Sequence, residues 1–293
     1  MAIEMLQKFN RIINLTFYND SDMPIYRIEC PTKGRKPSIE INGSFYPGDT
    51  LGPFNITIKN LYLDLAGKQY SKIKVEAGYV GNTATFEGSI LTMYQDEPGP
   101  ESKLVIQCQN GKLQNWLDKN VLVSYKQGST LKEVIDDLAK RLGTYGSKVG
   151  AFTSLLTLKE RFYFGGPARG AISRLQQLYQ DKNLAIFIRN NVLCAIMLGK
   201  DDSIVAHTLD YVSAPPQVNA GDDYYMTITA PWEPKLQIGD MLIVPSRVYV
   251  RNLAINKGIE KSKRIQVSTL SFHFGTTGGT NSMQVQGIVM QGK

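Results

Sequence analysis

The sequence predicts an α+β protein that is mainly β, with two small antiparallel β-barrel domains and an α/β insert between them. Three observations predict this class. Apolar and polar residues alternate from Ile12 to about Cys108, helical spacing of apolar residues is confined to the middle of the chain, and strand-like runs return after Ser203. The expected boundaries are residues 1–111 for the first barrel, 112–202 for the insert and 203–293 for the second barrel.

The first barrel is predicted from four alternating runs between Asn55 and Gly111. In each run two apolar residues stand an even number of positions apart, which is the spacing that buries one face of a strand. The pairs are Ile56 and Ile58, Ile73 and Val75, Phe86 and Ile90, and Leu104 and Ile106. Turn signals are expected to separate the strands at Asn42-Gly43, Pro47-Gly48-Asp49 and Pro98-Gly99-Pro100.

The insert is predicted to hold two helices and a hairpin. After a short connector over 112–120, with Trp116 and Leu117 pointing inward, Ser129 or Thr130 caps a helix that ends at Gly143. The apolar face of this helix consists of Leu131, Val134, Ile135, Leu138 and Leu142. Gly165-Gly166-Pro167 opens the second helix, and strands 184–188 and 192–197 form a hairpin turned at Asn190-Asn191.

The second barrel is predicted from strand-like runs in the last third of the chain. These runs are 204–209, 225–229, 237–244, 265–274 and 282–290, and a Gly-rich loop over 275–281 joins the last two. The run at 237–244 is expected to be entered through a tight turn at Gly239-Asp240. No strict sequence repeat links these strands to those of the first barrel.

Composition excludes several classes of protein. No secretory signal follows Met1 and no run approaches the roughly 18 apolar residues of a membrane helix, so we expect synthesis in a cytoplasm and no membrane segment. The three cysteines, Cys30, Cys108 and Cys194, are widely spaced and form no C-x-x-C pair. That pattern disfavours a disulfide framework and a zinc site, and it predicts buried thiols.

The formal charge of +7 leaves three interpretations open. The basic residues form short clusters, Lys33-Gly34-Arg35-Lys36 and Lys257 to Arg264, rather than a long stripe interleaved with aromatic residues. Solvated loops are favoured, contacts to an acidic protein neighbour come second, and contacts to phosphates come third.

No catalytic, cofactor or metal site is predicted. The best candidate for the acid pair of a glycoside hydrolase is Asp96, Glu97 and Glu101, in a Pro/Gly loop near Tyr94. The carboxylate doublets 136–137, 201–202 and 222–223 have the character of exposed helix or turn positions. His207 and His273 lie in strand-like runs without a second ligand at metal spacing, and no G-x-S-x-G elbow or P-loop occurs.

The order of several phrases resembles a known family. "ITIKNL", "VEAGY", "FEGSI" and "LVIQCQNG", followed by "STLKEVIDDLAKRLG", "AISRLQQLYQDKNLAIFIRNNVLCAI", "LQIGDMLIV" and the closing "IQVSTLSFHFGTTGGTNSMQVQGIVM", occur in that order along nearly the whole chain. They resemble the baseplate hub proteins of contractile-tailed bacteriophages, the Mu-type tail hub family, which also occurs in phage-like injection machines. The resemblance implies a homotrimer whose six barrels surround a lumen, and it supplies no catalytic residues.

The function expected from this resemblance is that of a structural virion protein of the tail baseplate. Its ring would join the tail tube, or a tube-initiator protein, to the central spike, and DNA would pass through the lumen without specific binding. Edge strands left by incompletely closed barrels favour such a closed assembly, and Thr57 and Thr269 are predicted at subunit edges while Lys132 and Lys140 are not. The alternatives are a tail-tip peptidoglycan hydrolase or carbohydrate-binding module, and a nucleic-acid-binding β-barrel protein.

Overall fold

The computed structural model describes residues 10–30, 37–46, 52–61, 70–96, 102–200, 205–209, 217–218, 225–244, 263–276 and 281–290. Seven strands precede the insert: β1 Arg11–Tyr18, β2 Pro24–Cys30, β3 Ser38–Phe45, β4 Phe54–Lys59, β5 Lys72–Tyr79, β6 Asn82–Asp96 and β7 Lys103–Gln109. Six follow it: β13 Ala206–Thr208, β14 Gln217–Val218, β15 Tyr225–Ala230, β16 Met241–Val244, β17 Lys263–Gly275 and β18 Ser282–Val289.

The insert alternates helices and strands. In chain order it contains α1 Gly111–Asp118, β8 Asn120–Tyr125, α2 Leu131–Leu142, β9 Ser147–Val149, α3 Ala151–Ser154, β10 Phe162–Pro167, α4 Ala168–Leu178, β11 Leu184–Arg189 and β12 Val192–Met197. β8 and β10 form a two-stranded antiparallel sheet, and β11, β12 and β9 form a three-stranded one.

The described strands before and after the insert belong to one sheet, to which 13 of them contribute. Its order is β14-β15-β18-β17-β3-β4-β7-β6-β5-β1-β2, with β16 added to β17 and β13 added to β16. The predicted mainly-β class is confirmed. The described strands form no closed barrel, so the two-barrel arrangement is not confirmed, and the domain boundaries stay a prediction.

Two long strands change partners part-way along their length. β6 pairs with β5 over Asn82–Ser89 and then with β7, and its register shifts between Ile90 and Thr92. β17 pairs with β16 over Lys263–Gln266 and, on from Leu270, with β3, and its register with β18 shifts between Val267 and Thr269. A bulge bends and twists a strand, so each bulge lies where a long strand must turn from one partner toward the next.

The core of this sheet is shared by strands from both ends of the chain. Trp232 stacks on Phe272 with ring centroids 4.7 Å apart and lies 4.6 Å from Phe274, while Phe274 contacts Tyr79 edge-on at 5.5 Å. Ile13, Leu15, Phe17 and the other inward residues of β1 to β7 belong to the same buried cluster as Met226, Leu242 and Val285.

Asn42-Gly43 lies inside β3 and does not form a turn, so that prediction was wrong. Asn42 pairs with Asn55 of β4 and with His273 of β17. A Cβ at Gly43 would stand 2.7 Å from Cε1 of Phe272 and 3.3 Å from Cβ of Phe54. Glycine is therefore needed here because an aromatic ring occupies the space of a side chain. The other two predicted turns, Pro47-Gly48-Asp49 and Pro98-Gly99-Pro100, lie outside the described residues.

The helix predicted from Thr130 to Gly143 is confirmed as α2. The Thr130 hydroxyl accepts a bond from the backbone N–H of Glu133 at 3.2 Å, and the Glu133 carboxylate accepts one from the backbone N–H of Thr130 at 2.9 Å, which is a capping box. Gly143 ends the helix with φ 80°, a conformation that glycine adopts without a steric penalty. All five predicted apolar residues of its inner face are buried.

Other predictions for the insert have mixed outcomes. The second helix begins after Pro167, and the hairpin of β11 and β12 turns at Asn190 and Asn191, both with positive φ. The prediction of a connector over 112–120 was wrong for its first part, because Gly111–Asp118 is helical. Leu117 is buried, as expected. The β8–β10 sheet was not predicted.

Leu138→Ala tests the packing of α2. Leu138 is fully buried, so we expect the substitution to lower the free energy of unfolding by about 2–5 kcal/mol, as truncations that leave a core cavity do. Urea denaturation followed by circular dichroism measures this change. The matched control is Lys140→Ala on the same helix, expected within about 0.5 kcal/mol of the parent. A loss below about 1 kcal/mol for Leu138→Ala would contradict the packing described here.

Candidate assembly surface

The outer face of the large sheet carries a row of uncharged polar side chains that crosses six strands. The row runs through β18, β17, β3, β4, β7 and β6, and each member lies directly opposite the next. Its members are Ser282, His273, Asn42, Asn55, Gln107 and Thr92. Thr92 Oγ1 and Gln107 Oε1 are 2.8 Å apart, so neighbours in the row also bond to each other. None of the six is Lys, Arg, Asp or Glu.

The rows on either side are also uncharged except for Glu40, and they are polar except for Val105. One contains Thr229, Gln284, Ser271 and Ser44, and the other contains Glu40, Thr57, Val105 and Tyr94. Glu40 is paired with Lys59 at 3.5 Å, at the end of β4. The three rows therefore form a nearly neutral polar surface, which we call the neutral face.

The large sheet has an open edge at β2. Among the described strands β2 pairs with β1 alone, and its outward side chains include Ile25, which is 38% exposed, and the ion pair of Arg27 and Glu29. Met23, in the turn before β2, is 61% exposed. An open edge of this kind presents backbone groups to which another strand can bond.

The predicted edge positions were wrong. Thr57 lies in β4, which is paired with β3 on one side and β7 on the other. Thr269 pairs with Gln286 of β18. On the other side of β17, it lies between the stretch paired with β16 and the stretch paired with β3. Both residues therefore belong to interior strands. The prediction failed because the sequence pattern does not indicate the order in which the strands join the sheet.

A buried ion pair joins the insert to the large sheet. Asp240 is fully buried before β16, and its carboxylate lies 2.5 Å from Nη1 of Arg189, the last residue of β11. The same carboxylate accepts a bond from the backbone N–H of Gln237 at 3.0 Å and lies 3.2 Å from Nε2 of His207 in β13. His207 thus has a hydrogen-bond partner within the protein.

The hairpin of β11 and β12 is buried on both faces. Ile186, Ile188, Leu193 and Ala195 pack with the helices of the insert. Ala185, Phe187, Cys194 and Ile196 pack against Ile238 and Ile288 of the large sheet. Burial on both faces explains why these strands are continuously apolar rather than alternating. At Gly239, with φ 84°, a Cβ would stand 2.7 Å from Ile196, so the two layers meet without space for a side chain.

The candidate chemical residues are not brought together into a catalytic site. Asp96 lies at the end of β6 opposite Lys103, and Glu97 and Glu101 lie outside the described residues. His273 is in the neutral face, remote in the sheet from His207 of β13. Within the part of the chain that the structure describes, no three His, Cys, Asp or Glu residues could hold a metal ion. The doublets 201–202 and 222–223 also lie outside it.

The doublet on α2 is structural. Asp136 pairs with Lys132 at 2.6 Å, while Asp137 pairs with Arg141 at 2.6 Å and accepts a bond from the Tyr125 hydroxyl at 2.8 Å. Burial raises the pKa of Asp137, but the hydrogen bonds from Arg141 and Tyr125 outweigh it, and the net pKa is lowered. The two carboxylates therefore have separate partners, and each is held ionised by them.

The three thiols are buried, as predicted. Burial raises the pKa of Cys108 to about 12 and that of Cys194 to about 11. Since the thiolate is the reactive form, burial makes the Cys108 and Cys194 thiols poor nucleophiles. Among the described helices none has the length and apolar character needed to cross a bilayer.

Neither a family model nor a curated protein matches the sequence. Solved structures do match. The 43 kDa tail protein of prophage MuSo2 from Shewanella oneidensis aligns over 96% of this chain and 97% of its own, with TM-score 0.57 and 11% identity. The tail protein from Neisseria meningitidis aligns over 95% and 96%, with TM-score 0.56 and 9% identity.

This chain has the fold of phage tail proteins. The resemblance found in the sequence is thereby confirmed at the level of fold. A third structure matches over 89% of this chain and 76% of its own, with TM-score 0.55 and 8% identity. It is an Escherichia coli component of the type VI secretion system, described as structurally similar to the T4 phage tail proteins gp27 and gp5.

Asp240→Asn tests the junction between the insert and the sheet. The substitution removes the charge that compensates Arg189, whose side chain is only 11% exposed. Breaking a buried pair in this way costs about 3–5 kcal/mol, measured as the free energy of unfolding in guanidinium chloride. Asp181→Asn is the control, because its pair with Lys182 is solvent-exposed and worth at most about 1 kcal/mol. Equal losses for the two variants would show that the Arg189–Asp240 pair does not stabilise the junction.

Proposed function

We propose that this chain is a structural baseplate hub protein of a contractile phage tail. Three copies form a ring that joins the tail tube to the central spike and lines the channel through which DNA passes. The observation that carries the proposal is the likeness to two phage tail proteins over almost the full length of both partners, at TM-scores of 0.57 and 0.56. A likeness of this extent includes the strands at both ends of the chain and the insert.

The neutral face is the surface assigned to the channel. A protein that neutralises phosphates gains affinity by releasing counterions, and a channel lined by Lys and Arg would therefore retain DNA. The row from Ser282 to Thr92 offers hydroxyl, amide and imidazole groups instead, and Glu40 on its flank is paired with Lys59. Such a surface stays hydrated and lets a polyanion pass without specific binding.

The open edge at β2 supports the ring. Among the described strands the other ends of the sheet are β14 and β13, so a contact of β2 with either strand in another copy is heterologous. A heterologous contact closes into a ring when the rotation between copies is right. With three copies, the strand regions 1–111 and 203–293 of each supply six similar units around the channel, which fits a threefold spike to a sixfold tube.

The proposal places the protein in the virion, at the tail baseplate, after synthesis in the host cytoplasm. Its protein partners are the central spike and the tail tube or tube-initiator protein. The insert lies outside the ring of sheets, on the side away from the channel, and no enzymatic step is assigned to the chain.

Ile25→Lys tests the ring. A charge in the outward row of an edge strand opposes pairing with another chain while leaving the buried residues of β2 in place. Mass photometry with the spike protein present should show a trimeric species for the parent and for the matched control Ile25→Val. For Ile25→Lys the association should be at least about tenfold weaker, a loss of about 1.4 kcal/mol in association free energy. Lys140→Gln on α2 should assemble like the parent. A parent chain that stays monomeric with the spike protein present would reject the trimeric hub.

The absence of hydrolase activity is a separate prediction. A cleft of about 310 Å³ lies between the β11–β12 turn and β6, and Glu87 is the one carboxylic acid among its described lining residues, which include Trp116 and Phe86. Glycoside cleavage needs two carboxyl groups about 5–9 Å apart. In a second cleft Glu87 shares the lining with Asp22, but Asp22 is held in an ion pair with Lys72 at 2.5 Å. We therefore expect purified cell walls to keep their turbidity when the folded chain is added. Clearing that Glu87→Gln abolishes would show that the alternative, a tail-tip peptidoglycan hydrolase, is right.

A further inference from the structure

Most of the net positive charge of the chain comes from the insert. Residues 112–202 contain 14 Lys and Arg against eight Asp and Glu, which is a formal charge of +6 of the total +7. The remaining 202 residues contain 19 and 18, so the strand regions are close to neutral. The nearly neutral regions build the large sheet, whereas the insert contains the excess of basic residues.

The β8–β10 sheet has one buried face and one exposed face. Val121, Val123 and Phe162 point into the core of the insert. On the opposite face Leu122 is 64% exposed and Tyr163 is 58% exposed. Leu122 lies over Gly165, its partner in the register, because a Cβ at Gly165 would stand 3.3 Å from Cδ1 of Leu122. A leucine and a tyrosine thus stand side by side in solvent on a two-stranded sheet.

Two arginines border Leu122 and Tyr163, and each is held by hydrogen bonds that involve no carboxylate. Arg174 donates to the backbone carbonyl oxygen of Tyr163 at 3.2 Å, and its guanidinium lies 5.6 Å from the ring centroid of Phe162. Arg161 donates to the Ser124 hydroxyl oxygen at 3.2 Å. Neither makes an ion pair with another described residue. Elsewhere in the insert Lys132, Arg141 and Arg169 each face an aspartate.

We propose that this surface, composed of Leu122, Tyr163, Gly165, Arg161 and Arg174, binds an acidic and apolar segment of a neighbouring protein. Tyr and Arg are the residues that most often dominate binding energy at protein interfaces. Each guanidinium has five N–H donors and uses only one or two of them here, so donors remain for a carboxylate. A partner with Asp or Glu beside Leu, Phe or Trp would satisfy both the cations and the apolar pair.

The same charges disfavour the other occupants. A second copy would bring an insert of the same sign against this one, and like charges at an interface oppose association. Nucleic acid would gain from several phosphate contacts, whereas this surface offers two cations without carboxylate partners beside an aliphatic side chain that does not stack on bases. The surface is on the insert and not on the edge at β2, so the inference does not depend on the trimeric ring.

The test uses the full-length chain and a displayed library of random peptides. Enriched peptides should combine acidic with aromatic or aliphatic residues. Fluorescence anisotropy with one synthetic enriched peptide should show at least about tenfold weaker binding to Tyr163→Ser and to the double variant Arg161→Gln/Arg174→Gln. Leu155→Ser, which changes an exposed leucine elsewhere in the insert, should bind like the parent. All four substituted side chains are exposed, so unchanged thermal unfolding serves as the folding control.

Several results would overturn the inference. They are the absence of enriched peptides, enriched peptides without acidic residues, and binding that the double variant does not weaken. Binding of a short DNA duplex that equals peptide binding and is lost in the double variant would assign the surface to nucleic acid instead. The Ile25→Lys variant distinguishes a failure of this inference from a failure of the proposed function. It should bind the peptide like the parent even where the ring is lost.

Discussion

The pairing of β3 with β17 is the interaction on which the rest of the structure depends. It joins a strand near the start of the chain to one near its end, from Leu270 opposite Phe45 to Gly275 opposite Glu40. Contacts between residues so far apart in sequence carry a large loop-closure cost. The aromatic cluster of Phe272, Phe274 and Trp232 offsets this cost, and Gly43 provides the space for it. One core then serves both groups of strands, and neither group completes it alone.

The position of the insert follows from that shared sheet. The β11–β12 hairpin is apolar on both faces, so it must be covered twice, once by the helices of the insert and once by Ile238 and Ile288. Arg189 and Asp240 add an orientation-dependent contact to this apolar layer. A buried pair of this kind is weak evidence for stability relative to an apolar pair, but it makes displacement costly because either partner alone would remain charged in the interior. The insert is thereby a rigid attachment.

What the sequence could predict was local. The Thr130–Glu133 capping box, the apolar face through Leu138 and the Asn190-Asn191 turn are decided by residues close in sequence, and the structure contains all three. Asn42-Gly43 has the composition of a turn but lies in a strand. The glycine is needed there because of the ring of Phe272, a residue more than two hundred positions later. Thr57 was misplaced at an edge for the same reason. β8 carried a readable signal, the apolar run of Val121, Leu122 and Val123, but two short strands separated by two helices and a further strand do not indicate that they pair.

The division of charge between the two layers connects the fold to assembly. Side chains of both ends of the chain meet in register on the neutral face, so its polarity is a property of the pairing across β3 and β17 and of no single segment. The insert, fixed to this sheet through Asp240, carries nearly all of the net charge, and none of its residues belongs to the neutral face. Passage of a polyanion and attachment of a protein neighbour place opposite demands on surface charge, because the first requires weak retention and the second specific attraction. In the proposed hub, separate surfaces held together by a buried contact would allow one chain to meet both demands.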